Sequence, residues 1–194
     1  IALITTIICL LLGYPAAYIM AMADFKTPQV MAMLFILPMW INFLLRTIAT
    51  VELFRMFGLP LGEGALLFGM VYDFLPFMIY PIYNTLQKMD TSLIEAAHDL
   101  GAKRHQVFLK VTLPLSAPGI YSGIVMVFMP TVSTFAIAEL LTHNKVTLFG
   151  SLIQRCFGEG GIAMWNYGAA LSLIMLIIIG LTSFFGGDKE DINR

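Results

Sequence analysis

The chain has 194 residues, of which 59% are hydrophobic and only 12% charged, and its formal net charge is −1. A soluble domain carries about 25% charged residues, so a water-soluble globule around one core is excluded. A balance this close to neutral also gives no electrostatic case for a nucleic-acid partner.

Charge-free runs locate the elements, given that a helix needs about 20 apolar residues to cross a bilayer. In chain order they predict spans over residues 1–22, 28–46, 65–87, 115–138 and 165–186. The first run begins at Ile1, already apolar, with no basic segment ahead of it, so a cleavable leader is not expected. A further N-terminal piece carrying a sixth span is expected to precede it. The second run lies between Lys26 and Arg46 and the third between Glu63 and Lys88, interrupted only by Asp73. The fourth follows Lys110 and ends at Glu139; the fifth is expected to start near Trp165, after Gly160 and Gly161. Trp40, Trp165, Tyr14 and Tyr167 are candidate interfacial aromatics. The expected fold class is all-α, a polytopic transmembrane helical bundle with five spans in this chain. One domain covers residues 1–187, followed by a short tail over 188–194. Cys9 and Cys156 offer no disulfide framework and are expected to be free thiols.

The loops set an expected orientation. One side carries Lys26, Lys88, Lys103, Arg104, Lys110, Lys189 and Arg194; the other carries Arg46, Arg55, Lys145 and Arg155. The positive-inside tendency puts the richer side, with loop 88–112 and the C-terminus, in the cytoplasm. Outside, residues 46–63 read as a short loop containing Pro60 and two glycines. Residues 139–164 read as a longer external segment, with Leu148, Phe149, Leu152, Ile153 and Cys156 on one face of an amphipathic helix.

Loop 88–112 has the clearest polar pattern. Ser92-Leu93-Ile94-Glu95 has the form of a capping box, with Asp90 as a rival cap. Leu93, Ile94, Ala97 and Leu100 share a helical face, and Gly101 offers a stop. A second short helix carries Val107, Phe108 and Val111 on one face and is expected to end at Pro114. Ala96 and Ala97 keep one face thin enough for another protein to approach closely.

Glu95-Ala96-Ala97, then three residues to Gly101, then nine to Val111-Thr112-Leu113-Pro114, resembles the EAA loop of permease subunits of ATP-binding-cassette importers. Valine stands where that pattern has isoleucine. The resemblance implies that Glu95, Ala96, Ala97, Asp99, Gly101, Leu113 and Pro114 belong to a coupling element that docks on a separate ATPase subunit. It also implies a six-span arrangement, a second homologous permease and an extracytoplasmic binding protein, besides membrane lipid. An external helix like that of segment 139–164 would help form the surface met by the binding protein; the alternative reading is a helix that only plugs the top of the bundle.

Within the third expected span, Asp73 lies nine residues from its start, or roughly 13 Å deep at 1.5 Å per residue. A carboxylate at that depth must face a cavity or a partner. Pro76 and Pro81 follow it and are expected to bend the helix. Tyr72, Tyr80 and Tyr83 are near in sequence, and acid with aromatics suits a cation. Asp73, Tyr72 and Tyr80 are therefore candidate residues of a translocation path, with Glu139 a weaker candidate. The other reading of Asp73 is a carboxylate satisfied by a hydroxyl or amide of a neighbouring helix, with no contact to anything carried.

The resemblance narrows over about residues 13–185. Gly69-Met70-Val71-Tyr72, Leu75-Pro76-Phe77-Met78-Ile79-Tyr80-Pro81-Ile82-Tyr83, Leu113-Pro114-Leu115-Ser116-Ala117-Pro118-Gly119-Ile120 and Tyr167-Gly168-Ala169-Ala170 are similar to the B-type permeases of spermidine/putrescine importers. That implies a polyamine as cargo. Importer permeases for other small solutes, such as an inorganic anion, iron or an aminophosphonate, remain open. So does an ion-coupled secondary transporter, which also uses proline-broken helices and a midplane acid but leaves the EAA spacing unexplained. No Gly-x-x-x-x-Gly-Lys-Ser/Thr loop occurs, so an enzyme is not expected here and ATP hydrolysis falls to another subunit. No metal-ligand spacing or nucleophile–base pair occurs, His98, His105 and His143 are scattered, and no cofactor is expected. The 13 methionines lie mostly in the spans and read as packing.

Overall fold

A computed structural model describes residues 1–22, 35, 37–142, 145–158 and 161–187, with 161–163 and 183–187 as backbone only. Lys26, residues 28–34 and 36 of the expected second span, His143 and the tail 188–194 lie outside the described residues.

The elements are helices throughout: α1 (Ala2–Met22), a 3-10 turn (Leu37–Trp40), α2 (Phe43–Met56), α3 (Glu63–Gln87) and α4 (Thr91–Asp99). They are followed by α5 (Arg104–Leu115), α6 (Ala117–Ser133), α7 (Ala136–Thr142), α8 (Phe149–Gly158) and α9 (Gly161–Gly187). Among the described residues, α1, α3 and most of α9 are long and apolar enough to cross a membrane, and α5 with α6 forms a fourth candidate bent by 61°.

The centre of the bundle is α1, α3 and α6 packed on one another. Cys9, Ala17 and Met20 of α1 meet Met78, Ile79 and Ile82 of α3 and Val127 of α6, all buried. Small residues set the spacing, as they do wherever helix backbones approach closely in a membrane. A Cβ on Gly119 would lie 2.8 Å from the backbone oxygen of Pro81, and one on Gly123 2.7 Å from the Met78 sulfur. A second cluster joins Val51 of α2, Leu66 and Met70 of α3, and Ile137 and Leu141 of α7. Both cysteines are buried and free.

The structure corrects several expected boundaries. Residues 46–63 are mostly helix, because α2 runs to Met56 through Arg46, Glu52 and Arg55; charges that cut a hydropathy run need not end a helix. α3 continues through Pro76 and Pro81 to Gln87. The run over 115–138 is divided: Pro130 has no N–H to give the preceding turn, α6 stops at Ser133, and Thr134 is extended (φ −67°, ψ 140°) before α7 begins. α9 starts at Gly161 rather than near Trp165. Tyr14 is no interfacial residue; it is buried, whereas Trp40 and Trp165 are exposed. The amphipathic helix expected between Leu148 and Cys156 is α8, but its most buried positions include Gly150 and Ser151 as well as Cys156. Its backbone sits against the break after α6, where a Cβ on Gly150 would meet the Ser133 carbonyl.

Candidate functional site

Two regions carry the residues singled out by sequence, one polar and exposed, the other inside the bundle. In the first, Asp90, not Ser92, caps α4: its carboxylate accepts from the Ser92 N–H at 2.9 Å. Hydrogen bonding from Ser92, side chain before backbone, holds that carboxyl below its ordinary range. No residue of α4 is buried. Glu95, Ala96 and Asp99 are exposed and Ala97 half-buried. Leu100, an apolar side chain left 89% exposed, marks a surface that the described residues do not cover.

The helix ends as a Schellman turn. Gly101 N–H bonds to His98 O at 2.8 Å and Ala102 N–H to Ala97 O at 3.1 Å, with Gly101 at φ +78°. A Cβ there would meet nothing within 4 Å, so glycine is needed for its conformation and not for closeness. The left-handed region costs a non-glycine residue about 1–2 kcal/mol. Gly101→Val should therefore unwind this turn and speed amide hydrogen exchange across residues 97–102 several-fold, whereas Gly101→Asn, which tolerates that region, should change it less. Equal exchange in both variants would show that the positive φ at residue 101 does not decide the turn.

Beyond Gly101 the chain turns into α5, where the Lys103 N–H donates to Gln106 Oε1 at 2.9 Å. A groove of about 350 Å³ lies in the angle, lined by Ala97, Leu100, Gly101, Gln106, Val107 and Lys110 among others. Leu113 packs on the bundle core, Pro114 is exposed, and α5 ends one residue beyond Pro114. Phe108–Thr112 is a π-helical turn, which the sequence reading missed. Proline at 114 cannot donate to the Lys110 carbonyl and its ring crowds that group; a widened turn takes up the conflict.

In the second region the acid and one of the tyrosines around it meet a partner within the chain. Asp73 is 1% exposed and Arg46 6% exposed, with Arg46 Nε 3.3 Å from Asp73 Oδ1. Thr47 Oγ1 donates to Asp73 Oδ2 at 3.1 Å. The Arg46 guanidinium lies 5.8 Å from the centre of the Tyr72 ring. The cation that meets the acid and the tyrosine is thus the chain's own arginine. Tyr80 is exposed and Glu139 sits exposed in the first turn of α7; neither joins this cluster. Tyr83 is buried in the core. Arg46 also borders an open cavity of about 790 Å³ walled by Trp40, Phe43, Phe74, Phe77 and Phe135 and by the backbone break at Ser133–Thr134. Sequence reading missed Arg46 because a charge closing an apolar run looks like a membrane boundary.

The sequence profile described as "Binding-protein-dependent transport system inner membrane component" matches residues 13–187. The chain belongs to this family. Among curated proteins it is 36% identical over 197 residues to the spermidine/putrescine transport system permease protein PotB of Escherichia coli, covering 93% of this chain and 71% of that protein. The Haemophilus influenzae protein of the same name is 36% identical, covering 93% and 68%. A PotB homolog of Mycoplasma genitalium is 29% identical, covering 93% and 67%. Among solved structures, an inward-facing MetNI methionine ABC transporter chain superposes with a TM-score of 0.74 at 19% identity, covering 100% of this chain and 91% of that one; this likeness concerns the fold. As a member of the binding-protein-dependent inner membrane components, the chain is a membrane permease subunit of an ATP-driven importer and not an enzyme. The family works with ATPase and binding-protein partners.

Proposed function

We propose that this permease carries polyamines of the spermidine/putrescine class into the cell. The observation that supports this reading is the 36% identity, over 93% of the chain, to permeases named for those substrates. In this reading the chain pairs with a second, homologous permease. Two ATPase subunits dock on α4 and the groove beside it, through Glu95, Ala96, Ala97, Asp99 and Gly101, with Leu113 and Pro114 fixing α5 beneath. A binding protein delivers cargo from outside. Closure of the ATPases on ATP shifts the pair between outward- and inward-open populations. The aromatic cavity beside Arg46 fits a place on the path better than Asp73 does, because the Asp73 carboxylate already has its partner.

The test is uptake of labelled spermidine and putrescine into lipid vesicles holding the complete importer and its binding protein. ATP-dependent, saturable uptake is expected. An assembled complex whose ATP turnover responds to another solute, and not to polyamines, would overturn the substrate.

Residues 88–112 and the C-terminus are assigned to the cytoplasm, and the α2–α3 connection and α8 to the outer side. Lys103→Cys and Lys145→Cys, made without Cys9 and Cys156, should react with an impermeant thiol reagent from opposite faces. Labelling from the same face would reverse the assignment.

A further inference from the structure

The bend between α5 and α6 is fastened to α1 at two points. At one, the Phe108 ring opens the π-helical turn and meets two tyrosines edge-on. Its centre lies 5.8 Å from that of Tyr14 at 80° and 5.4 Å from that of Tyr18 at 88°. Tyr14 and Tyr18 are one helical turn apart on α1, so a single ring is seated against both. At the other point, Tyr14 Oη lies 3.0 Å from Ser116 Oγ. Ser116 Oγ donates to Leu113 O at 2.9 Å, so Tyr14 is the donor. Ser116 is the residue at which the two helices bend by 61°. One buried tyrosine therefore holds both ends of the elbow.

The neighbouring structure makes this joint a link between the loop and α1. α4 has no buried residue, so the described bundle leaves its surface open to a partner. Val107, just before the π-helical turn, and Thr112, its last residue, are buried, and α1 is packed along α3. A displacement of α4 passes through the Gly101 turn into α5, and there it reaches the bundle through Phe108. The π-helical turn gives the backbone beside Phe108 a spare residue, and such turns adjust with less resistance than a regular helix.

Resting on the reading of the chain as an ATP-coupled permease, we infer that Phe108, clamped by Tyr14 and Tyr18, is the positioning residue that passes coupling-helix movement into α1. It sets how much cargo moves per ATP, and it touches neither cargo nor nucleotide.

The test uses the complete importer in lipid vesicles with Phe108→Ala, Phe108→Leu and Phe108→Tyr, and measures assembled complex, ATP turnover and uptake per ATP. Phe108→Ala and Phe108→Leu should keep ATP turnover per complex while uptake per ATP falls at least fivefold; Phe108→Tyr, which keeps the ring edges, should retain most of it. Native uptake per ATP in Phe108→Leu would overturn the inference. Losses of uptake and ATP turnover in proportion to assembled complex would also do so, because packing alone would explain them, as would failure of all three variants to assemble. The ratio is read with whichever solute stimulates ATP turnover. A wrong substrate therefore shows in the native complex, and a wrong joint shows in the variants.

Discussion

Asp73→Asn should sharply lower the yield of folded chain, and removing the Arg46 charge as well should restore it. Asparagine keeps the shape of aspartate but leaves a guanidinium that is 6% exposed without its counter-charge. Breaking a buried ion pair by removing one partner costs about 3–5 kcal/mol, whereas replacing both partners with neutral groups of similar volume is often neutral or stabilising. The single Thr47 hydroxyl proton is shared between Asp73 Oδ2 and the Phe43 carbonyl oxygen, and Tyr72 faces Arg46 at 5.8 Å, where a cation–π contact offers about 0.5–2 kcal/mol. Neither replaces the lost charge. The readout is the fraction of chain that remains monodisperse in mild detergent, for Asp73→Asn alone and combined with Arg46→Met. If Asp73→Asn is as stable as the native chain and loses only uptake, the carboxylate acts on cargo and the pair is incidental.

The second large effect is expected at Gly119. Its missing side chain lets α6 lie directly on α3: an added Cβ would be 2.5 Å from Thr85 Oγ1 and 2.8 Å from Pro81 O. The threonine can rotate, giving up its 3.0 Å bond to the same Pro81 oxygen, but the backbone carbonyl cannot yield without moving the helix. Overpacking of this kind costs about 1–3 kcal/mol. Gly119→Ala should lower the midpoint of thermal unfolding in detergent, and Gly119→Val should lower it further. Gly180→Ala in α9, where nothing lies within 4 Å, is the control and should leave the midpoint unchanged or slightly raised. Equal midpoints for Gly119→Ala and Gly180→Ala would contradict the close packing of α3 and α6.

Much of the backbone shape of loop 88–112 was legible in the sequence. Gly101 announces its turn because few other residues accept a positive φ, and the spacing from Glu95 to Pro114 leaves little freedom for the two short helices. The cap at Asp90 instead of Ser92 was a contest between two good caps two residues apart, which pattern alone does not decide. The membrane-embedded region was less legible. Hydropathy reads a charge as an edge, so Arg46 was placed outside although Asp73 holds it inside. Which residue meets a lone acid depends on how α2 and α3 pack, and no local pattern encodes that. The break at Thr134 had one signal, Pro130, and Pro76 and Pro81 look no different in sequence although α3 continues through them. The π-helical turn had only Pro114 to announce it.

The Arg46–Asp73 pair has a consequence for energetics across the bilayer. A single elementary charge moved through a membrane potential gains or loses about 2.3 kcal/mol per 100 mV. An unpaired Asp73 riding on α3 would tie every conformational cycle to that potential. With Arg46 held 3.3 Å away, the two helices carry a charge of each sign at nearly the same depth, and the field exerts almost no net force on them when they move together. The resting voltage should then act on a charged solute in transit and leave the rocking of the helices alone. ATP turnover in the absence of cargo should accordingly be insensitive to an imposed potential, and a clear voltage dependence there would mean that the two charges separate during the cycle.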